Sequence, residues 1–228
     1  DIFLDSKGLS TNLIGNIGST LSNQSNIGVS SFGAVTSKPV LRGYSNERFL
    51  LTKNGNKIGD LSQTSADHAI ALDMTEISQV EIIRGPKTLI YGANAIGGVI
   101  NTTINGSPQV RVNKFYKKMM LGIESFNKGK YANLSMYIPV KNYQLNLIVS
   151  NRMTNNQTSP VGELYNTQSK TSNYKLGFTK YNNNGYLNFM IENYNMSYGI
   201  PQSPEGHIDG VDIDLVNNSI QINLHQDI

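Results

Sequence analysis

The sequence has no cysteine and no tryptophan in 228 residues. Without thiols there are no disulfides, thiolate metal centres or cysteine nucleophiles, and no redox compartment can be argued. Charge is scarce as well: Asp, Glu, Lys and Arg supply 15% of the chain, against ~25% in an average soluble domain. The formal net charge is +3 with no long basic run, so the electrostatic footprint of a nucleic-acid binder is missing. No stretch approaches the ~18 consecutive apolar residues of a spanning helix, which excludes a helical membrane protein. The three histidines stand in no metal-hydrolase spacing, and neither a nucleophile elbow nor a phosphate loop is present. An enzyme is the weakest reading.

What is abundant is asparagine, at 29 residues, together with tyrosine, ten of whose twelve residues follow position 110. Low charge, many Asn and Tyr and no Cys fit a β-rich secreted or envelope protein. The chain starts at Asp1 with no signal peptide ahead of it, so a fragment, or a mature form missing its start, is expected.

The first 106 residues mix signals. Leu13, Ile14, Ile17 and Leu21 recur at helical spacing and predict a short amphipathic helix within residues 13–24. The runs PVLRG, ERFLLTKNG, QVEIIRGP and GGVINTTI are short, apolar and bounded by Gly, Pro or Asn, which predicts strands. Asn54-Gly55 is a turn dipeptide, since both residues tolerate positive φ. Gly85-Pro86 closes a strand and sets Pro where a helical turn starts. This half reads as a small α+β domain.

From about residue 109 the period becomes two. Ala132, Leu134, Met136 and Ile138 alternate with polar or Tyr positions, as do Tyr143, Leu145, Leu147 and Val149, then Tyr174, Leu176 and Phe178, then Leu187, Phe189 and Ile191. The alternation changes phase across Asn217-Asn218, where a bulge or strand break is expected. Tight turns at 139–142 and 182–185 alternate with polar loops at 153–172 and 199–210. Short turn then long loop is the asymmetry of an outer-membrane barrel, with Tyr near the strand ends as its interfacial girdle. A soluble β-sandwich also alternates, and periodicity does not separate the two.

Residues 39–104 separate them. PVLRG, EIIRGP and LIYGANAIGGVIN occur in order, and the segment resembles the plug domain of TonB-dependent outer-membrane receptors, in detail over roughly residues 9–106. The matching plug positions are Arg42, Gly43, Glu81, Arg84, Gly85, Pro86, Tyr91, Gly92, Gly97 and Gly98. The resemblance implies an α+β plug at 1–106, followed at 107–228 by antiparallel transmembrane β-barrel strands. About six such strands are countable, where plugged transporters have about 22, so the barrel is incomplete. The energy-coupling box expected before the plug is not readable.

What the resemblance implies for function is energy-coupled uptake of a scarce nutrient across the cell outer membrane. The partners would be a TonB-type inner-membrane coupling protein, outer-membrane lipid, and a metal ion or metal chelate, with no cofactor and no nucleic acid. SADHAIALD is most similar to the branch importing zinc or related divalent metals, and Asp67 and His68 match its plug metal ligands. Adjacent side chains of an extended strand point to opposite faces, so both reach one ion only from a turn or irregular loop. The loop at 198–215 also resembles that branch and offers Glu205, His207 and Asp209, but with a single His. A siderophore, haem or other chelate is the alternative ligand. From a different class, the β-half would be a passive pore or a surface adhesin, neither of which uses a plug.

Overall fold

The computed structural model describes residues 2–5, 8–9, 15–44, 48–59, 61–62, 64–104, 111–203 and 208–227. The chain divides into two units, Asp1–Asn105 with Gly199–Val211, and Gly106–Tyr198 with Asp212–Ile228.

In the first unit the elements run β1 (Ile2–Asp5), α1 (Ile17–Leu21), β2 (Ile27–Ser30), β3 (Lys38–Leu41), β4 (Leu50–Lys53), β5 (Asn56–Lys57), β6 (Ile77–Ile83) and β7 (Val99–Ile104). Five strands form one sheet in the order β1-β6-β7-β4-β5, and β2 pairs with β3 separately. All four apolar runs read as strands are strands. Pairing is antiparallel except between β4 and β7, which run parallel with Leu50 opposite Val99. The core gathers Ile17 and Leu21 from α1, Leu41, Val80, Ile82 and Ile100.

The helix is shorter than the stretch that carries its spacing. Asn16 is extended, and its side chain accepts from the Ser19 amide at 2.7 Å, so the helix starts at Ile17 as an Asn N-cap requires. Ile17 and Leu21 are buried one turn apart as their spacing predicts, while Leu13 and Ile14 lie outside the described residues. Asn54 and Gly55 both have positive φ, 52° and 81°, and close the β4–β5 hairpin. After β6, residues Gly85–Tyr91 make a 3-10 helix with Pro86 at its start.

The second unit is a sequential antiparallel meander. Its strands are β8 (Tyr116–Glu124), β9 (Gly129–Val140), β10 (Tyr143–Thr154), the small pair β11 (Gln157–Ser159) and β12 (Gly162–Leu164), then β13 (Ser169–Asn182), β14 (Gly185–Ile200) and β15 (Val211–Gln226). Six of them form one sheet in the order β15-β14-β13-β10-β9-β8.

Burial in this sheet is inverted. Along β10, Gln144, Asn146 and Ser150 are buried, while Tyr143, Leu145 and Met153 are exposed and Leu147 and Val149 half-exposed. Register carries the apolar set across the sheet: Leu134 faces Val149, Leu147 faces Leu176, Leu145 faces Phe178, and Phe178 faces Phe189. Leu134, Leu145, Leu147, Phe178 and Phe189 thus share one outward face, as the period-two reading requires. Polar side chains inside and apolar ones outside is the pattern of a sheet whose outer solvent is hydrocarbon.

Two expectations are corrected. The connection at 153–172 is shorter than a twenty-residue loop, because β10 runs to Thr154, β13 starts at Ser169, and the hairpin β11–β12 sits between them. Asn217-Asn218 breaks no strand. Exposure alternates without interruption from Val211 to Leu224; what changes is which face holds the apolar residues. Val211, Ile213 and Leu215 are on the inward set, whereas Val216, Ile220, Ile222 and Leu224 face outward.

Candidate functional site

Asp67 and His68 lie in an irregular segment between β5 and β6, with a turn at 66–67. That is the condition under which neighbouring side chains can reach one ion. His68 Nδ1 is 3.2 Å from the Leu61 carbonyl oxygen and 3.4 Å from Thr64 Oγ1. A carbonyl only accepts, so in this contact Nδ1 is the donor, and a neutral imidazole so held carries its lone pair on Nε2. A hydrogen bond from one ring nitrogen to a carbonyl is how a ligating imidazole is oriented. Asp67 accepts from Ser65 Oγ. Both residues are half-buried. A carboxylate oxygen and an imidazole nitrogen are sensible donors for zinc-like ions.

The segment is tied from below by a residue that sequence reasoning missed. Lys38, at the start of β3, is buried, and its Nζ donates to the carbonyls of Ser62 and Ser65. Its partners lie 24 and 27 residues away, so no local pattern marks it. A buried ammonium is tolerated only where acceptors surround it, and here those acceptors are the backbone of the loop that carries Asp67 and His68.

The remaining candidates do not join this pair. Asp209 is exposed in a turn, and Glu205 and His207 fall outside the described residues. Among the described residues no three His, Cys, Asp or Glu come together to hold a metal, so Asp67, His68 and Asp209 form no ligand set.

The matched motif positions support the fold around β6 and β7. Arg42 and Gly43 turn the chain after β3, both with positive φ. Glu81 lies in β6 opposite Phe3 and Asn101, and Arg84 donates to the Ser25 carbonyl at 3.2 Å. Pro86 starts the 3-10 helix that ends at Gly92, and Tyr91 packs on Leu50, Ile83, Ala95 and Val99. Gly97 and Gly98 are required by space. A Cβ on Gly97 would stand 2.7 Å from Tyr44 Cβ, and one on Gly98 would stand 2.4 Å from Leu41 Cδ2 at a φ of 133°.

Residues 4–99 match the TonB-dependent Receptor Plug Domain family. Over these residues the chain is similar to a TonB-dependent receptor plug domain. The plug-bearing chain is 39% identical over 61 residues to a Vitamin B12 transporter BtuB of Photobacterium profundum, covering 27% of this chain and 10% of that protein. It is 38% identical over 74 residues to a Hemin receptor of Yersinia enterocolitica, covering 32% of this chain and 10% of that protein. The Copper transporter OprC superposes on plug and strands with a TM-score of 0.75 at 15% identity, covering 97% of this chain and 34% of that chain. The chain thus spans about a tenth of the length of the curated relatives it matches. A plug followed by an antiparallel six-stranded sheet is the architecture of these receptors.

The second unit holds further polar residues that the sequence reading did not single out. Lys175 and Glu192 face one another in register on the inward side, with Nζ to Oε1 at 3.2 Å and side chains only 2% and 7% exposed. Arg152 pairs with Glu124 and lies over the Tyr131 ring at 5.9 Å. The signal for Lys175 was present in the alternation: it stands between the outward Tyr174 and Leu176.

Proposed function

We propose that this chain is the plug (1–106) and the first barrel strands (107–228) of an outer-membrane receptor, not an enzyme, that imports a scarce nutrient with energy from a TonB-type inner-membrane protein. In this reading the nutrient is zinc or another divalent metal, and Asp67 with His68 supplies its plug ligands. The observation that carries the reading is the 3.2 Å contact of His68 Nδ1 with the Leu61 carbonyl oxygen, which leaves Nε2 as the ring nitrogen for a ligand. Loop residues Glu205, His207 and Asp209 complete or relay the metal shell. The motif positions from Arg42 to Gly98 serve to hold the plug fold beneath it.

Calorimetry of zinc binding to the full-length receptor tests this. The Asp67→Ala, His68→Ala double variant is expected to bind at least about tenfold more weakly. Wild-type affinity should also fall with acidification, because a ligating imidazole must be neutral. Equal affinity in wild type and double variant would refute the metal assignment.

A second reading, uptake of a chelate such as a siderophore or haem, is favoured by the lack of a three-residue ligand set among the described residues. Under that reading the double variant keeps its zinc response unchanged and loses binding of an anionic complex instead.

A further inference from the structure

Residues 31–38 run from the end of β2 into β3 and touch two stretches that carry candidate ligands. The segment is held stiff along its length. Ser31 Oγ donates to the Gly33 carbonyl at 3.2 Å and stands 2.9 Å from Ser37 Oγ. Asn16 Nδ2 donates to the Ala34 carbonyl at 3.2 Å. Gly18 of α1 lies so close that a Cβ there would stand 2.6 Å from the Ser37 carbonyl oxygen. Val35, Thr36, Ser37 and Lys38 are all buried. Segments that open locally have few buried contacts, and this one is rich in them.

At one end it holds the Asp67 and His68 loop through Lys38, whose Nζ donates to the carbonyls of Ser62 and Ser65. Ser65 Oγ in turn donates to Asp67 Oδ1, so a single residue separates the ammonium from a candidate ligand. At the other end it holds the start of the β14–β15 connection. Ile200 is fully buried, and a Cβ on Gly33 would stand 3.3 Å from Ile200 Cδ1 and 3.5 Å from Pro201 Cδ. The φ of Gly33 lies outside the left-handed region. Glycine is therefore there for space and not for backbone freedom. The connection carries Asp209 and belongs to the first unit, as residues 31–38 do.

We propose that residues 31–38 are one positioning element for two parts of the proposed ligand site. Lys38 sets the Asp67 and His68 loop, the Gly33–Ile200 contact sets the connection bearing Asp209, and loosening either contact loosens both. The consequence for binding rests on the metal reading, whereas the linkage itself rests on these contacts. Two independent loops would each have to be ordered by an arriving ligand. Loops fixed on one stiff segment meet it already arranged, and so lose less freedom on binding.

Amide exchange of the full-length receptor, read by mass spectrometry without added metal, tests the linkage. Ile200→Ala is expected to speed exchange at 199–203 and also at 61–68, by at least about fivefold each, the low end of coupling between sites. Lys38→Met should do the same from the other end. The two changes together should add little to either alone, as coupled positions do. Exchange in β6 and β7 should stay at the wild-type rate, which separates this response from a general loss of stability. Leu89→Ala, at an exposed position of the same unit, should move neither loop. Zinc is then added. It should slow exchange at both loops in wild type, but only at 61–68 in Ile200→Ala. If each variant speeds only its own loop, or if β6 and β7 speed up equally, the linkage is overturned. Coupled loosening with no response to zinc would uphold the linkage and refute the metal reading instead.

Discussion

Along β6 of the plug, Val80 and Ile82 point into an apolar core while Glu81 between them stays half-exposed. Along β10 of the strand unit, the same two-residue alternation buries Gln144 and Asn146 and turns Tyr143 and Leu145 outward. Alternation alone therefore says that a strand has two different faces. It does not say which face is inside. The plug gains stability from apolar area withdrawn from water, at ~25 cal/mol per Å². The strand unit has hydrocarbon outside, so its inward polar groups must satisfy one another. Many do: Gln144 Nε2 donates to Asn146 Oδ1 at 2.9 Å, Asn188 Nδ2 to Thr179 Oγ1 at 2.9 Å, and Asn223 Nδ2 to Asn188 Oδ1 at 3.2 Å. The large asparagine content is the compositional trace of that second strategy, since each amide both donates and accepts.

The comparison is broken most severely at Lys175 and Glu192. Glu192→Ala would leave a buried ammonium without its carboxylate and is expected to cost about 3–5 kcal/mol, read from denaturant unfolding of the full-length receptor. Lys175→Met combined with Glu192→Leu should recover most of that loss. A small effect of the single variant would mean that the inward face is wetter than its burial implies. In the plug, Ile82→Ala removes a fully buried side chain and should cost about 2–5 kcal/mol in the same measurement. The lipid-facing assignment is sharpened by Leu176→Arg, expected to destabilise the receptor in bilayers by about 2–4 kcal/mol if this position is near the midplane. A protein whose outer face met water would hardly notice the change. The smallest effect expected is at the plug helix, where Asn16→Ala removes the cap on the Ser19 amide for about 1 kcal/mol, visible as faster amide exchange over residues 17–21.

Much of the strand unit was legible because hairpin register follows from the residues themselves. Tight turns such as Lys141-Asn142, with Lys141 at a φ of 54°, fix which residues face each other, and Leu145 opposite Ile138 follows from that. The phase change at Asn217-Asn218 misled because an apolar outward face is demanded only where hydrocarbon is the solvent. Toward Val211 that demand ends, and Asp212 and Asp214 take the outward positions. In the plug, β1 and β2 are four-residue strands, too short for a periodic signal; β1 forms because the distant β6 offers an edge, and β2 because the chain folds back onto β3. The site was legible only as a dipeptide. Asp67 and His68 could be named from the resemblance, but the loop geometry that frees His68 Nε2 depends on Leu61, and its anchor is the distant Lys38. Long-range backbone acceptors leave no mark in composition or spacing.

The order of strands in the two sheets also carries a kinetic consequence. Every strand of the β8–β15 sheet pairs with its nearest main-strand neighbours in the chain, so the sheet can grow one hairpin at a time, each step closing only a short loop. The plug cannot. Its central β4–β7 pairing joins Thr52 to Asn101, 49 residues apart, and nothing rewards that closure until the intervening chain is drawn together. Pairings of high sequence separation are slow, because loop entropy is lost before contacts compensate for it. The plug sheet should therefore be the late event in folding, completing after the meander has zipped, and its rate should respond to changes in the 54–98 connection far more than to changes in any barrel turn.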